Sequence, residues 1–164
     1  LKEAGFDDES SSQISRWVSS APGRALRWAR RGATFERALL ASVLLGEVDA
    51  LEVTPRLFAL EGDLGEGTPG VLARKRAVGV VELGVDMMRD LARMGAGVPS
   101  DVTPHGDLAP ALTGRAGLGT RARQGLESLW RARRELDSNL APEAVLDRVL
   151  SELQDAFEGA RVGQ

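Results

Sequence analysis

The chain of 164 residues contains no cysteine, no tyrosine and a single histidine, and aromatic residues make up only 4% of it. Without cysteine there is no disulfide framework and no thiolate metal site, and the redox compartment is not legible from composition. One histidine leaves no His-x-x-x-His or carboxylate-x-x-His pair to converge on a metal ion. No apolar run approaches the roughly 20 residues that span a bilayer, and no signal-peptide pattern opens the chain. Strand signals are scarce too: no window alternates apolar and polar residues with β-branched enrichment. A formal net charge of −3 lacks the positive excess of a domain that binds nucleic acid through bulk electrostatics. What remains is an ordinary soluble composition, 43% apolar and 27% charged, at a length that fits one domain or one domain plus a fragment. Leu1 is not an initiator methionine, so the expectation is a segment of a longer protein.

The apolar residues recur at helical spacing. Ser10 to Ser20 reads as a short helix with Ile14, Trp17 and Val18 on one face. It stops at Ala21-Pro22-Gly23, because proline disfavours a helical residue before it. Pro22 suits the first turn of a second helix running to about Arg31, which Gly32 ends. Thr34 is expected to cap a third helix, with Phe35, Leu39, Val43 and Leu44 as its buried face. A fourth piece is expected over Thr54 to Leu64, with Pro55 at its start. Gly62 to Gly70 reads as a flexible surface loop. A phosphate cradle there needs a lysine after the last glycine and a following Ser or Thr, and neither is present.

Thr68-Pro69 opens the longest helix, ending near Gly95. Val78, Val81, Val85, Met88 and Ala92 form one apolar stripe; Val80, Gly84, Met87, Leu91 and Met94 form a second beside it. Two adjacent stripes are wider than a surface helix needs, so this helix is expected at the centre of a bundle. Gly79 and Gly84 weaken an isolated helix by about 1 kcal/mol each, and their expected use is close approach of a neighbour. After a loop from Gly95 to about Leu108, helix signals resume from Leu118 to about Ser138. Leu118, Ala122, Leu126, Leu129, Leu136 and Leu140 are its expected buried side. Asn139 and Pro142 mark a sharp turn, and Pro142 opens a last helix with Leu146, Val149, Leu150, Leu153 and Phe157 inside. The fold class is all-α, a helical bundle with short connections around one broad core.

The residues that could do chemistry are few. His105 sits in Pro104-His105-Gly106-Asp107, which can be an acid–base pair but reads more simply as a solvated loop histidine. No other side chain could act as the base of a serine triad. Glu82, Asp86 and Asp90 are spaced by one helical turn and read as a solvated face screened by Arg89 and Arg93. No catalytic, cofactor-binding or metal-ligating residue is expected in this segment, and no cofactor.

Two arginine features are left. Arg24 stands at a helix start, where the macrodipole disfavours a cation, so a purpose beyond helix stability is indicated. Arg121, Arg123, Arg131, Arg133 and Arg134 cluster along the penultimate helix, with Glu127 and Glu135 interspersed. They read as a solvated, salt-bridged face, or as contacts to DNA phosphates, or as contacts to acidic patches of partner subunits.

Ser20-Ala21-Pro22-Gly23-Arg24-Ala25-Leu26 resembles the Gly-Ser-Pro-Gly-Arg-Ala-Leu pattern at the sensor-2 place in the AAA+ helical lid of bacterial clamp-loader subunits, the delta-prime subunits of DNA polymerase III in particular. Met88-Arg89-Asp90-Leu91 resembles a Leu-Arg-Asp-Leu stretch of the collar in that family. Ala132-Arg133-Arg134-x-Leu136-x-x-Asn139-x-x-Pro142, followed by Leu146, Leu150 and Leu153, resembles the junction of its last two collar helices. The three stretches keep the family's order and cover about half of the chain. Ser20 stands where the pattern has glycine, and Ala141 where it has asparagine.

The resemblance implies that residues 1–32 end an AAA+ lid and residues 33–164 form a helical collar of the clamp-loader type. It implies an assembly or stator role in a cytoplasmic hetro-oligomer that loads the sliding clamp onto primed DNA during replication. The gamma/tau and delta subunits would be its partners, and the clamp and the DNA would be met only through the whole complex, with no membrane. Arg24 would be structural at a sensor-2-like position, and Pro22, Gly23, Asn139 and Pro142 would shape the motifs. The segment would not be an enzyme, although it would belong to the polymerase holoenzyme. Alternative readings are the collar of the paralogous gamma/tau subunit and a helical DNA-binding module using Arg121 to Arg134.

Overall fold

Proline, glycine and two capping side chains set most of the helix ends. The computed structural model describes residues 8–18, 22–112 and 117–158, which hold eight α-helices and, among the described residues, no strand. These are α1 (Asp8–Trp17), α2 (Pro22–Arg31), α3 (Ala33–Leu45), α4 (Ala50–Ala59), α5 (Pro69–Gly95), α6 (Ala109–Leu112), α7 (Leu118–Asp137) and α8 (Pro142–Glu158). The expected stop of the first helix, at Ala21-Pro22-Gly23, is described only in Pro22 and Gly23, which open α2; Ala21 lies outside the described residues.

Two expectations at the helix ends need correction. Thr34 does not cap α3; it lies inside the helix, and Gly32, at φ 82°, joins α2 to α3 in a single left-handed residue. Only a residue tolerant of positive φ makes so tight a joint. The rotation that results leaves Phe35 64% exposed, while Glu36, Leu40, Val43 and Leu44 turn inward. The fourth helix begins at Ala50, not Thr54, because the Asp49 carboxylate accepts a hydrogen bond from the Leu51 amide at 2.8 Å. Asp49 with Glu52 is a capping-box pattern. Pro55 therefore falls inside α4, where it forfeits one helical hydrogen bond. Leu51 and Pro55 are both exposed, so the carbonyl that loses its partner lies on the solvent side.

α5 opens as expected, with Thr68 capping the Val71 amide and Pro69 in the first turn. Its 27 residues span about 40 Å. α7 runs antiparallel along it: a Cβ on Gly95 at the end of α5 would meet Gly119 N at 2.4 Å, and one on Gly84 would meet Leu129 Cδ2 at 2.9 Å. Gly84 thus makes room for a side chain of α7, while the closest backbone approach is at Gly95. A Cβ on Gly125 of α7 would strike Met88 Sδ at 2.7 Å and Leu153 Cδ2 at 2.9 Å, so α5, α7 and α8 meet there. Leu83, Val80, Met87, Met88 and Leu91 are buried on α5, whereas Val78, Val85 and Ala92 are only partly covered.

Asn139, at φ 70°, ends α7 in a left-handed turn. Its amide donates to Leu136 O at 3.3 Å, and the Leu140 amide donates to Glu135 O at 3.2 Å, the paired bonds of a Schellman end. Leu140 lies beyond that turn and is 50% exposed, contrary to its expected burial. Arg74 of α5 closes the same end, donating to Leu136 O and, at 3.1 Å, to Leu140 O. α8 folds back from Pro142 and buries all five expected residues together with Val145. It packs between α7 and the α3–α4 pair, and Gln154 Oε1 accepts from the Ala50 amide at 2.7 Å. One apolar cluster runs from Ile14 of α1 to Phe157 of α8.

Candidate functional site

Charged groups occur in three settings: a buried ionic knot, a buried histidine and an open basic groove. The knot joins α2, α3 and α5. Glu36, fully buried, accepts from Arg31 Nε at 2.9 Å and from Arg76 Nη1 at 2.8 Å. The two guanidiniums also cap backbone carbonyls: Arg31 Nη2 donates to Gly79 O and Arg76 Nη2 to Leu60 O, both at 2.8 Å. Arg76 further donates to Arg31 O. Burial lowers the Arg31 pKa, against the pull of Glu36 and Glu82. The bonds cross the expected boundary at residues 32/33 and tie the end of α2 to the centre of the bundle. Gly79 leaves room for the Arg31 guanidinium, which a Cβ there would meet at 2.5 Å.

His105 is not a solvated loop residue: it is fully buried, with its ring 5.5 Å from that of Trp17. Its Nδ1 accepts from Arg37 Nε at 3.0 Å, and Arg37 also holds Asp107 at 2.6 and 2.7 Å. Burial, with Arg37 adding to it, pushes the imidazole pKa down to about 3. Its Nε2 has no hydrogen-bond partner among the described residues. The backbone amide of His105 donates to Asp90 at 3.0 Å. Asp90, read from the sequence as part of a solvated face, is thus buried, and its pKa is raised by that burial. A neutral imidazole clamped by a cation at one nitrogen and walled off by Trp17 fixes the loop onto α1, α3 and α5. It offers no proton to an outside molecule.

The open setting is a groove between α2, α5 and α7. Two hollows of about 610 and 680 Å³ share Arg24, Arg27, Glu82 and Arg133 and form one continuous depression. Arg24 pairs with Asp86 of α5 and lies 4.6 Å from the Trp28 ring centroid. Arg27 and Arg30 of α2 and Arg134 of α7 are exposed, and their side chains form no ion pair or hydrogen bond among the described residues. Arg74 and Lys75 of α5 face the groove but hydrogen-bond only backbone carbonyls, so their charge is not neutralised. Lys75 donates to Leu64 O at 3.1 Å and Glu66 O at 2.8 Å, which anchors the glycine-rich loop instead of leaving it free. Trp130 of α7, 51% exposed, stands at the other end with Arg89 against its ring at 6.0 Å.

The five arginines expected on α7 do not act as one set. Arg133 and Arg134 line the groove. Arg131 turns to Glu152 of α8 at 3.1 Å, Arg121 donates to Ala156 O at 2.7 Å, and Arg123 reaches Thr120. Arg133 also pairs with Asp137 at 2.7 Å, an exposed pair worth little. Pro22 and Gly23 open α2, Asn139 makes the left-handed turn, and Pro142 starts α8, while Ser20 and Ala21 lie outside the described residues. The groove residues that the sequence reading missed include Arg27, Arg30, Arg74, Lys75 and Trp130. The signal was an arginine at every third place of Pro22–Arg31 with no acid to balance it. Among the described residues there is no cluster of His and carboxylates suited to a metal ion, and no helix long and apolar enough to cross a membrane. Comparison with protein-family models, with curated proteins and with solved structures gave no match.

Proposed function

We propose that this chain is the lid-end and collar region of a bacterial clamp-loader subunit of the delta-prime type, and that it works by assembly. Residues 1–32 would close the lid and residues 33–164 form the collar. The observation that carries the reading is the ordered set of three stretches, above all Ala132 to Pro142. The left-handed Asn139 and the helix-opening Pro142 support it, because that motif needs a tight turn between two long packed helices. Arg24 in its ion pair with Asp86 supports a structural role at the sensor-2-like position. In this reading the helices join gamma/tau and delta subunits in a cytoplasmic hetero-oligomer through apolar and arginine-bearing faces.

The test is gel filtration of this chain mixed with gamma/tau and delta subunits. Co-elution at micromolar concentration is expected; separate elution of all components sinks the proposal.

A further inference from the structure

The groove between α2, α5 and α7 concentrates charge that the composition hides. Nine arginine or lysine side chains and three carboxylates line its two hollows, and two further carboxylates, Glu36 and Asp137, pair with Arg31 and Arg133, which gives a net +4 in a chain of net −3 and leaves −7 on the remainder. Eight of the nine cations are arginines, whose planar fork suits carboxylates and phosphates alike. Cations without a carboxylate partner among the described residues stand on all three walls: Arg27 and Arg30, Arg74 and Lys75, and Arg134. A charged ligand therefore meets guanidiniums that need not first be released from ion pairs.

The floor of the groove decides between the possible anions. It carries Val71, 45% exposed, the half-buried Val78 and Val85, and the exposed Trp130. Trp130 could stack a single base, but the branched aliphatic side chains beside it give further bases no platform and accept an apolar side chain. Glu82 and Asp86 also line the groove near Trp130. They repel a strand that carries a phosphate on every unit, whereas a peptide spaces its charges and can present a donor or an apolar group there. Exposed tryptophan among arginines is also the composition of a protein-binding hot spot.

We infer that this groove docks an acidic linear peptide segment that carries an apolar anchor residue, with Trp130 and the valines taking the anchor and the unpaired arginines taking its carboxylates. The inference rests on the groove alone and not on the assembly reading. Peptide binding by a chain that fails to join clamp-loader subunits would separate the two.

The probe is a fluorescein-labelled peptide of Asp and Glu with one central Phe, followed by fluorescence anisotropy on the whole chain. Saturable binding that weakens with added salt is expected. Arg27→Glu with Arg134→Glu should weaken it at least tenfold, and Trp130→Ala by about tenfold, in the range of interface hot spots. All three residues are exposed at least in part, so circular dichroism should show the fold intact in each variant. Arg123→Glu, outside the groove, should change binding less than twofold beyond the general salt effect, roughly the scale of a rim charge. Equal binding of a peptide with Ser in place of Phe would show bulk attraction only and overturn the inference. So would tighter binding of a single-stranded oligo-thymidine, which would assign the groove to nucleic acid. No change in the Arg27→Glu, Arg134→Glu variant would overturn it as well.

Discussion

Glu36→Ala tests whether the bundle is organised around its buried ionic knot. The substitution removes the only carboxylate among the described residues that meets both Arg31 and Arg76, at 2.9 and 2.8 Å, at a site with no solvent access. The two guanidiniums keep their bonds to the carbonyls of Gly79, Leu60 and Arg31 and so cannot swing out to water without orphaning those groups. Stranding buried charge in this way costs about 3–5 kcal/mol. For a chain of this size about 4 kcal/mol lowers Tm by roughly 8–16 °C. Urea titration and thermal melting followed by far-UV circular dichroism read the loss directly. The companion is the cycle with Arg76→Met. Because the second change removes one of the stranded charges, the double variant should be more stable than the sum of the singles implies, by about 1–3 kcal/mol. A Glu36→Ala loss below about 1 kcal/mol, the range of an exposed pair, or additivity within about 0.5 kcal/mol, would refute the reasoning.

That knot also shows where the sequence stops being legible. α5, α7 and α8 could be read to within a residue or two, because long apolar stripes, Thr68-Pro69 and Asn139 with Pro142 are local signals. α4 was displaced because Pro55 was read as a helix start, when Asp49 four residues earlier than Val53 already offered the cap. α3 is rotated from the expected face: Phe35, expected in the core, is exposed, and Glu36 takes the inward place. A glutamate is almost never fully buried unless paired, and its partners Arg31 and Arg76 come from two other helices. His105 was misread for the same reason: Trp17, Arg37 and Asp90, which bury and hold it, come from α1, α3 and α5. The groove was half visible, in the unbalanced arginines of α2. Its other walls are supplied by α5 and α7, and no local pattern announces that these meet α2.

Gly95→Ala and Gly84→Ala separate two kinds of close contact. At Gly95 the new Cβ meets the backbone of Gly119, at 2.4 and 2.5 Å, and a loss of about 2–3 kcal/mol by urea titration is expected. At Gly84 it meets only the tip of Leu129, which can turn, and alanine's helix preference of about 1 kcal/mol offsets much of the clash, so the net change should stay below about 1 kcal/mol. Asn139→Ala should cost about 1–2 kcal/mol and Asn139→Gly close to nothing, because asparagine tolerates φ 70° through its short polar side chain and glycine through the lack of a Cβ, whereas alanine has neither relief; equal losses would contradict the left-handed turn. The pH dependence follows from His105. Its pKa is pushed down to about 3 in the folded chain against about 6.5 unfolded, so between these values the unfolded chain binds the extra proton. Stability from this group is therefore fully present above pH 6.5 and is lost as pH falls, by about 1.4 kcal/mol per unit. Asp90 titrates in the opposite sense, since burial raises its pKa, and it masks part of the slope in the unaltered chain. His105→Asn removes the imidazole but keeps the backbone amide that bonds Asp90, and its side-chain oxygen can still accept from Arg37. The difference between the two chains, measured by urea titration from pH 7 to 4, isolates the histidine and should close by roughly 3 kcal/mol. A constant difference across that range would mean that the ring takes up its proton without leaving its place, and the clamp by Arg37 and Trp17 would then not be what keeps it neutral.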